Sequence, residues 1–279
     1  MPTGLSSNLD LLRAIAVLLV LTQHLCRRVH LDQVGWVPTS CLGLFGVLLF
    51  FVHTCLVLMY SMERSNLGGW RLLTNFHVRR IFRIYPLSIL TVATALALHL
   101  TSDVNDIRGL SVAPLGGKRE ILGNFLLVQN LAGVKSIVNV LWSLPFELQM
   151  YLLLPFLFLW VRGKPRFWAL LGLWLLSVLG ALVQPRVPLL GMLSILVFIP
   201  HFLPGVIAYS LPHVPRIRSY LWPAFILFLV LIFSFHPTLR AGWMLCLALG
   251  LGIPRFAEIT TPWLRTVSNR IATYSYGIY

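Results

Sequence analysis

Apolar runs of about 15–20 residues recur along the whole chain, and this repetition restricts the fold more than any other feature. A transmembrane helix needs about 20 mostly apolar residues, whereas a transmembrane barrel uses alternating segments of about 10 residues. The sequence shows the helical pattern. Eight runs precede a ninth that begins near residue 270, and they cover 9–26, 42–61, 84–101, 141–161, 167–184, 189–211, 220–235 and 240–253.

The composition supports the same class. Of the 279 residues, 58% are hydrophobic and only 11% are charged, whereas soluble domains carry about 25% charged residues. We therefore predict an all-α fold, a polytopic transmembrane helix bundle. The first run lacks a preceding basic segment and a clear A-x-A cleavage site, which favours an uncleaved helix over a signal peptide.

Two stretches depart from the simple pattern. Residues 120–134 form a shorter run that contains Asn124, Gln129 and Asn130, so we predict a re-entrant or interfacial piece packed against protein. The ninth run has only about ten residues before the sequence stops, and a crossing needs about 20. We expect residues 1–279 to form one transmembrane domain that is truncated at its C-terminus.

The net charge of +14 comes from 22 Lys and Arg residues against 8 Asp and Glu residues. The basic residues are dispersed between the apolar runs, so they indicate membrane topology and argue against a nucleic-acid partner. With the N-terminus in the cytoplasm, 13 of them lie on the inner side and 8 on the outer side. We predict a multi-pass protein of the inner (cytoplasmic) cell membrane in this orientation.

The sequence carries no motif of a metal site or of a soluble nucleophile site. Its four cysteines lie in or beside apolar runs without metal-ligand spacing, so we predict neither a disulfide framework nor a bound metal. Cys26 and Cys41 flank one short loop, which leaves a single pair open. Glycine-rich phosphate loops, G-x-S-x-G elbows and H-E-x-x-H pairs are absent from the sequence.

The first run, LDLLRAIAVLLVLTQH, contains Asp10, Arg13 and His24, although a charge at the bilayer centre costs about 2.5–3.5 kcal/mol. Arg13 and His24 are eleven residues apart, which places them on one helix face and about 16 Å apart along the axis. Asp10 lies one turn before Arg13 and can pair with it. This polar seam predicts contact with the bundle interior or a water-filled cavity. In the alternative interpretation, Asp10 and Arg13 are interfacial anchors and His24 caps the outer edge.

A second polar cluster lies in NFHVRRIFRIYP, where Arg79, Arg80 and Arg83 stand at the inner end of the third helix. Positive-inside topology explains this cluster. Anion binding is the sharper hypothesis, because Arg80 and Arg83 are one turn apart and guanidinium groups bind phosphates bidentately.

Other polar residues lie within the apolar runs themselves. Glu147, in LWSLPFELQMYLLLP, must be paired, protonated or in a polar cavity, and a purely structural hydrogen bond also satisfies this requirement. His53, in FFVHTCLVLMY, is more typical of a hydrogen bond between helices than of catalysis. Trp142 and Tyr151 fit an ordinary aromatic belt.

Three of these stretches resemble, in the same order, the signatures of acyltransferase family 3, a family of integral membrane acyltransferases. LDLLRAIAVLLVLTQH is similar to the first-helix signature with its R-x10-H core, RRIFRIYP to an inner-loop R-x-x-R element, and LWSLPFELQMYLLLP to a WSLxxExxFYLLLP element. The terminal ATYSYGIY resembles the start of a late SYxxYLWH element. The matching positions are Arg13, His24, Arg80, Arg83, Trp142, Ser143, Glu147 and Tyr151.

The resemblance implies a fold of about ten helices with both termini in the cytoplasm, so that about nine spans of ten are visible here. It also implies transfer of an acyl group, most often acetyl, from cytosolic acyl-CoA. The acceptor is a hydroxyl of an extracytoplasmic or lipid-linked glycan or a related molecule. Acyl-CoA is then a co-substrate, and no permanently bound cofactor is expected. The expected partners are the lipid bilayer, acyl-CoA and the acceptor.

The resemblance also assigns roles. His24 acts as general base or carries the acyl group, and Arg13 orients the donor or stabilises the oxyanion. Asp10 holds Arg13, while Arg80 and Arg83, with Arg79 beside them, bind the phosphates of CoA. Glu147 lines the cavity and orients His24 or the acceptor.

The sequence departs from the family in its second helix, where FFVHTCLV places His53 and Thr54 at the Ser-Gly of a usual FFVxSGFL. This change suggests a distinct subgroup. Two rival functions stay open from the residues. A transporter or flippase also needs intramembrane polar residues, and a membrane scaffold uses them only to join helices.

Overall fold

The computed structural model describes residues 6–99, 117–187 and 193–278, and the side chains only up to residue 274. Within this part, α-helices follow one another with short connections. They are α1 (Ser7–Arg28), α2 (Thr39–Arg64), α3 (Gly69–Ala97), α4 (Lys118–Phe125), α5 (Gln129–Ala132), α6 (Leu144–Val161), α7 (Phe167–Val183), α8 (Ile195–Ser210), α9 (Leu221–Phe235), α10 (Leu239–Gly252) and α11 (Pro262–Ile278). Among the described residues, 3-10 helices cover Asn139–Ser143, Gln184–Arg186 and Ile253–Arg255. A small antiparallel hairpin, β1 (Gln33–Val34) and β2 (Val37–Pro38), joins α1 to α2.

Five helical segments of the described chain are long and apolar enough to cross a membrane: Ser7–Arg28, Thr39–Arg64, Gly69–Ala97, Asn139–Val161 and Phe167–Arg186. The apolar helices α8 and α9 are shorter. The prediction of an all-α, multi-pass membrane protein is confirmed in this form. The count of nine spans out of ten stays a prediction.

Most helices coincide with the predicted apolar runs, but α3 begins at Gly69, well before the run expected from residue 84. Its first half carries Arg71, Arg79, Arg80 and Arg83 and therefore escapes a search for apolar runs. Consequently Arg79, Arg80 and Arg83 lie within the helix and not at its start. The ends of two predicted runs, residues 100–101 and 189–192, lie outside the described residues.

The predicted re-entrant piece consists of α4 and α5, which are too short to cross a membrane. The side chain of Asn124 closes this segment: its amide donates to the carbonyl oxygens of Glu120 and Lys135 at 2.9 and 2.8 Å. Its oxygen accepts from the backbone N–H of Ile137 at 2.9 Å. A polar residue in a short apolar run thus satisfies backbone groups that lipid cannot satisfy.

Helix α2 is the most buried of the five long apolar segments and packs against α1 and α8. Two glycines let the backbones approach closely, as small residues do between membrane helices. A Cβ atom on Gly46 would lie 2.8 Å from the carbonyl oxygen of Ala16 in α1. One on Gly205 of α8 would press on the carbonyl oxygen of Val52 and lie 2.8 Å from Cβ of Cys55.

The start of α1 is fixed by hydrogen bonds to distant parts of the chain. Ser6 donates to Glu258 at 2.7 Å, and the Asn8 side chain donates to the carbonyl of Ala257 and accepts from the N–H of Ile259. The indole N–H of Trp222 in α9 donates to the carbonyl of Asn8 at 3.0 Å. These contacts fix α1, the helix that carries Arg13 and His24, against α9 and the connection between α10 and α11.

We expect Gly205→Ala to destabilise the protein, because the added methyl group must displace backbone atoms of α2, and overpacking costs about 1–3 kcal/mol. The measurement is the apparent melting temperature in detergent, which should fall by several degrees. Gly172→Ala is the matched control on α7, since a Cβ atom there meets no other atom within 4 Å. Equal melting temperatures for the two variants would contradict the close approach of α8 to α2.

Candidate active site

Two adjoining cavities lie along α2. The first, which we call the arginine cavity, has a volume of about 340 Å³. Its charged and titratable lining residues are Arg13, His53, Arg64, Arg80, Arg83 and Glu147. The second, the His24 cavity, has a volume of about 180 Å³. Its polar lining residues are Gln23, His24, Arg27, Ser40, Asn139, Trp142 and Ser143.

One face of α2 lines both cavities. Ser40, Gly43 and Val47 border the His24 cavity, and the same helical stripe continues along the arginine cavity down to Arg64. The steps of three and four residues keep these positions on one side of an α-helix. Ser40 and Arg64 are separated by about 36 Å of helix rise, slightly more than the hydrocarbon core of about 30 Å. Together the two cavities therefore extend along α2 over a length similar to the thickness of a bilayer.

Three residues line both cavities: Val47 of α2, and Val140 and Ser143 of the 3-10 helix 139–143. We call this set the neck. A 3-10 helix has three residues per turn, so Val140 and Ser143 lie one above the other on the same side. Val47 and Ser143 are 6% and 5% exposed. The two cavities thus share part of their wall, at a boundary where Val47 and Ser143 are buried and Val140 is partly buried.

The structure divides the polar seam of α1 between the two cavities. Arg13 lines the arginine cavity and His24 lines the other. Asp10 lies outside both linings, and its carboxylate accepts a hydrogen bond from the Asn269 amide of α11 at 3.0 Å. Asp10 therefore ties α1 to α11 directly.

The arginine cluster of α3 is also divided. Arg80 and Arg83 line the arginine cavity, whereas Arg79 is exposed and lies outside its lining. The guanidinium carbon of Arg80 lies 6.0 Å from the centre of the Phe76 ring, a distance at which a cation and an aromatic face attract each other. Because Arg80 and Arg83 are one turn apart, both guanidinium groups line the cavity, whereas Arg79 does not.

Glu147 and His53 face the arginine cavity from α6 and α2. The Tyr151 hydroxyl, one turn further along α6, donates to Glu147 Oε2 at 2.9 Å. Tyr151 is itself buried and contacts Phe76 edge to face. His53 is only 5% exposed. Both polar residues therefore belong to the cavity wall, and Tyr151 orients the carboxyl group from behind.

Sequence reasoning missed several polar residues of the lining, among them Arg64 and Gln23. Arg64 follows His53 by eleven residues, the same spacing that relates Arg13 to His24, so this interval on α2 was a usable signal. Gln23 had no comparable signal, because its position depends on a glycine of another helix. A Cβ atom on Gly43 would lie 2.6 Å from Oε1 of Gln23. The absence of a side chain at Gly43 thus leaves room for this amide at the edge of the His24 cavity.

The described residues contain no group of three or more His, Cys, Asp or Glu side chains able to hold a metal ion. All four cysteines are free thiols in the structure, and three of them, Cys41, Cys55 and Cys246, are buried. The site is therefore one of arginines, histidines and a carboxyl group.

Comparisons with known proteins agree with this picture. The family model described as an acyltransferase domain, that of acyltransferase family 3, matches residues 6–279. Nodulation protein 10 of Rhizobium leguminosarum bv. viciae is 30% identical over 178 residues. This match covers 58% of the chain but 47% of the relative, so the chain matches less than half of that protein's length. No solved structure matches the chain significantly.

We expect the two cavities to open to opposite faces of the membrane. In a Cys26→Ser background, Ser61→Cys and Ser40→Cys should react with a membrane-impermeant thiol reagent from opposite sides of sealed vesicles. The background itself should stay unlabelled, because buried thiols are inert. Labelling of both positions from one side would contradict the arrangement along α2.

Proposed function

We propose a specific reaction for this chain, which belongs to acyltransferase family 3 and is therefore a membrane acyltransferase. In this reaction an acyl group, acetyl in the simplest case, passes from cytosolic acyl-CoA to a hydroxyl of a glycan or related acceptor across the membrane. One observation carries the proposal. A cavity rich in arginine and a cavity that contains His24 adjoin at a shared neck.

The donor enters from the arginine side. Arg80 and Arg83, with Arg64 beside them on the cavity wall, present guanidinium groups suited to the phosphates of CoA. The nucleotide stays at this mouth and the pantetheine arm extends toward the neck. Because acyl-CoA is cytosolic, this assignment places the N-terminus of α1 in the cytoplasm, as the Lys and Arg distribution predicts.

Helix geometry favours one role for Arg13. It lies about 16 Å from His24 along α1, and because all helical side chains lean toward the N-terminus, the tilt does not bring the two groups together. Arg13 thus holds the pantetheine arm more readily than a group reacting beside His24. The buried hydroxyl of Ser143 lies at the neck and is the better placed donor to the thioester carbonyl oxygen.

His24 serves as the general base in this account. Its imidazole removes the proton of the acceptor hydroxyl as that oxygen attacks the thioester carbonyl carbon. The tetrahedral intermediate collapses, the C–S bond breaks, and the CoA thiolate takes up the proton that the His24 imidazolium gives back. Glu147, held by Tyr151, keeps the donor side of the neck polar. The acceptor lies in the His24 cavity beside Gln23 and Trp142.

The first test measures transfer of radiolabelled acetyl from acetyl-CoA to a glycan fraction in membrane vesicles. His24→Ala should lower kcat by about 10²–10⁴-fold, the usual contribution of a general base. Arg83→Ala should raise the KM for acetyl-CoA by about 10- to 100-fold, because a charge-assisted hydrogen bond is lost. Arg71→Ala, an exposed position of α3 outside the cavity lining, is the matched control and should behave like wild type.

Equal transfer by wild type and His24→Ala would contradict a catalytic role for His24. Movement of a substrate across the membrane without consumption of acetyl-CoA would favour the transporter function instead.

The second test separates the two roles open to His24. With His24 as base, donor and acceptor must be bound together, and initial-rate plots against acetyl-CoA at several acceptor concentrations should intersect. Parallel lines, together with label bound to the protein when acceptor is withheld, would show that His24 carries the acyl group.

A further inference from the structure

We propose that the neck formed by Val47, Val140 and Ser143 selects the acyl group by length, so that acetyl and propionyl groups react and butyryl and longer groups do not. This inference rests on the proposed function and deepens it. The relevant observation is that these three residues line both cavities.

The reaction itself brings the acyl group to the neck. The arginine cavity holds the donor's arm and the His24 cavity holds the base and the acceptor. The thioester carbonyl must therefore stand where the cavities meet, and the rest of the acyl chain has to fit at the same place. The valines exclude carbon atoms there, while Ser143 offers a hydroxyl to the carbonyl oxygen.

The neck is built from stiff parts. Valine is β-branched and has few side-chain rotamers in a helix. Val47 follows Gly46, at which α2 lies directly against the backbone of α1, so Val47 has no space to withdraw toward α1. On the other side, Leu141 and Ile137 pack with Val92 of α3 and hold the 3-10 helix. Substrate binding is therefore not expected to widen the neck at low cost.

The cavities on either side are less restrictive. The arginine cavity is larger, and much of its wall is apolar, with Val57, Leu58 and Leu87 among its lining residues. A longer acyl chain would find volume and apolar surface there, but only with its thioester carbonyl held short of the neck and out of reach of the acceptor. Selection by length therefore depends on the neck and not on the volume of the donor cavity.

The experiment uses the full chain in membrane vesicles with radiolabelled acetyl-, propionyl-, butyryl- and hexanoyl-CoA, and counts the label that reaches the glycan fraction. The kcat/KM of wild type for acetyl-CoA should exceed its kcat/KM for butyryl-CoA by about tenfold or more. Binding pockets usually discriminate against an added methylene by a factor of this size. Val47→Ala should lower this ratio by about tenfold by admitting butyryl. Val140→Ala should also lower the ratio of acetyl to butyryl transfer. It provides the test if Val47→Ala fails to fold.

Val57→Ala is the matched control. It removes the same two methyl groups from α2, but in the wall of the arginine cavity only, and should leave the ratio of acetyl to butyryl unchanged whatever its effect on the rate. Three results would each overturn the length filter and leave the proposed function intact. The ratio could stay unchanged in both neck variants, it could shift equally in Val57→Ala, or wild type could transfer hexanoyl efficiently. Absence of transfer from every acyl-CoA would overturn both.

Discussion

Lipid offers no hydrogen-bond partner, and this constraint determines where the polar residues of the chain lie. A charged or polar side chain in a membrane helix must face another helix or a water-filled space. Arg13, His24, His53 and Glu147 come from three different helices, yet all of them line the two cavities beside α2. The same need for hydrogen-bond partners explains why Asn124 accepts from the backbone of Ile137 and why Tyr151 donates to Glu147.

The position of α1 depends on contacts far from the cavities. Asn8 and Ser6 bind the segment around Glu258, Trp222 donates to the backbone of Asn8, and Asp10 accepts from Asn269. These bonds join residues more than 200 positions apart in the chain, so the last described helices hold the first helix. The C-terminal part of the bundle thus holds α1, and with it Arg13 and His24, in place beside α2.

The sequence was sufficient for the class of fold and for much of the candidate site. Apolar runs identified most helices because a membrane-spanning helix must be mostly apolar, and the eleven-residue interval on α1 indicated a polar seam. The start of α3 was missed because the arginines of its first half interrupt the apolar pattern. Gln23, Val47 and Val140 were also missed, since their roles depend on how α1, α2 and the 3-10 helix 139–143 meet. Such contacts between helices are set by packing and leave no periodic signal within one segment.

The central claim is that donor and base occupy two cavities that meet at the neck. A cryo-EM structure of the chain in lipid nanodiscs with a non-hydrolysable acetyl-CoA analogue tests it most directly. The account predicts phosphate density against Arg80 and Arg83, the pantetheine arm along the arginine cavity, and the analogue's carbonyl beside Ser143. Phosphates at the His24 cavity, or an arm that runs outside both cavities, would contradict it.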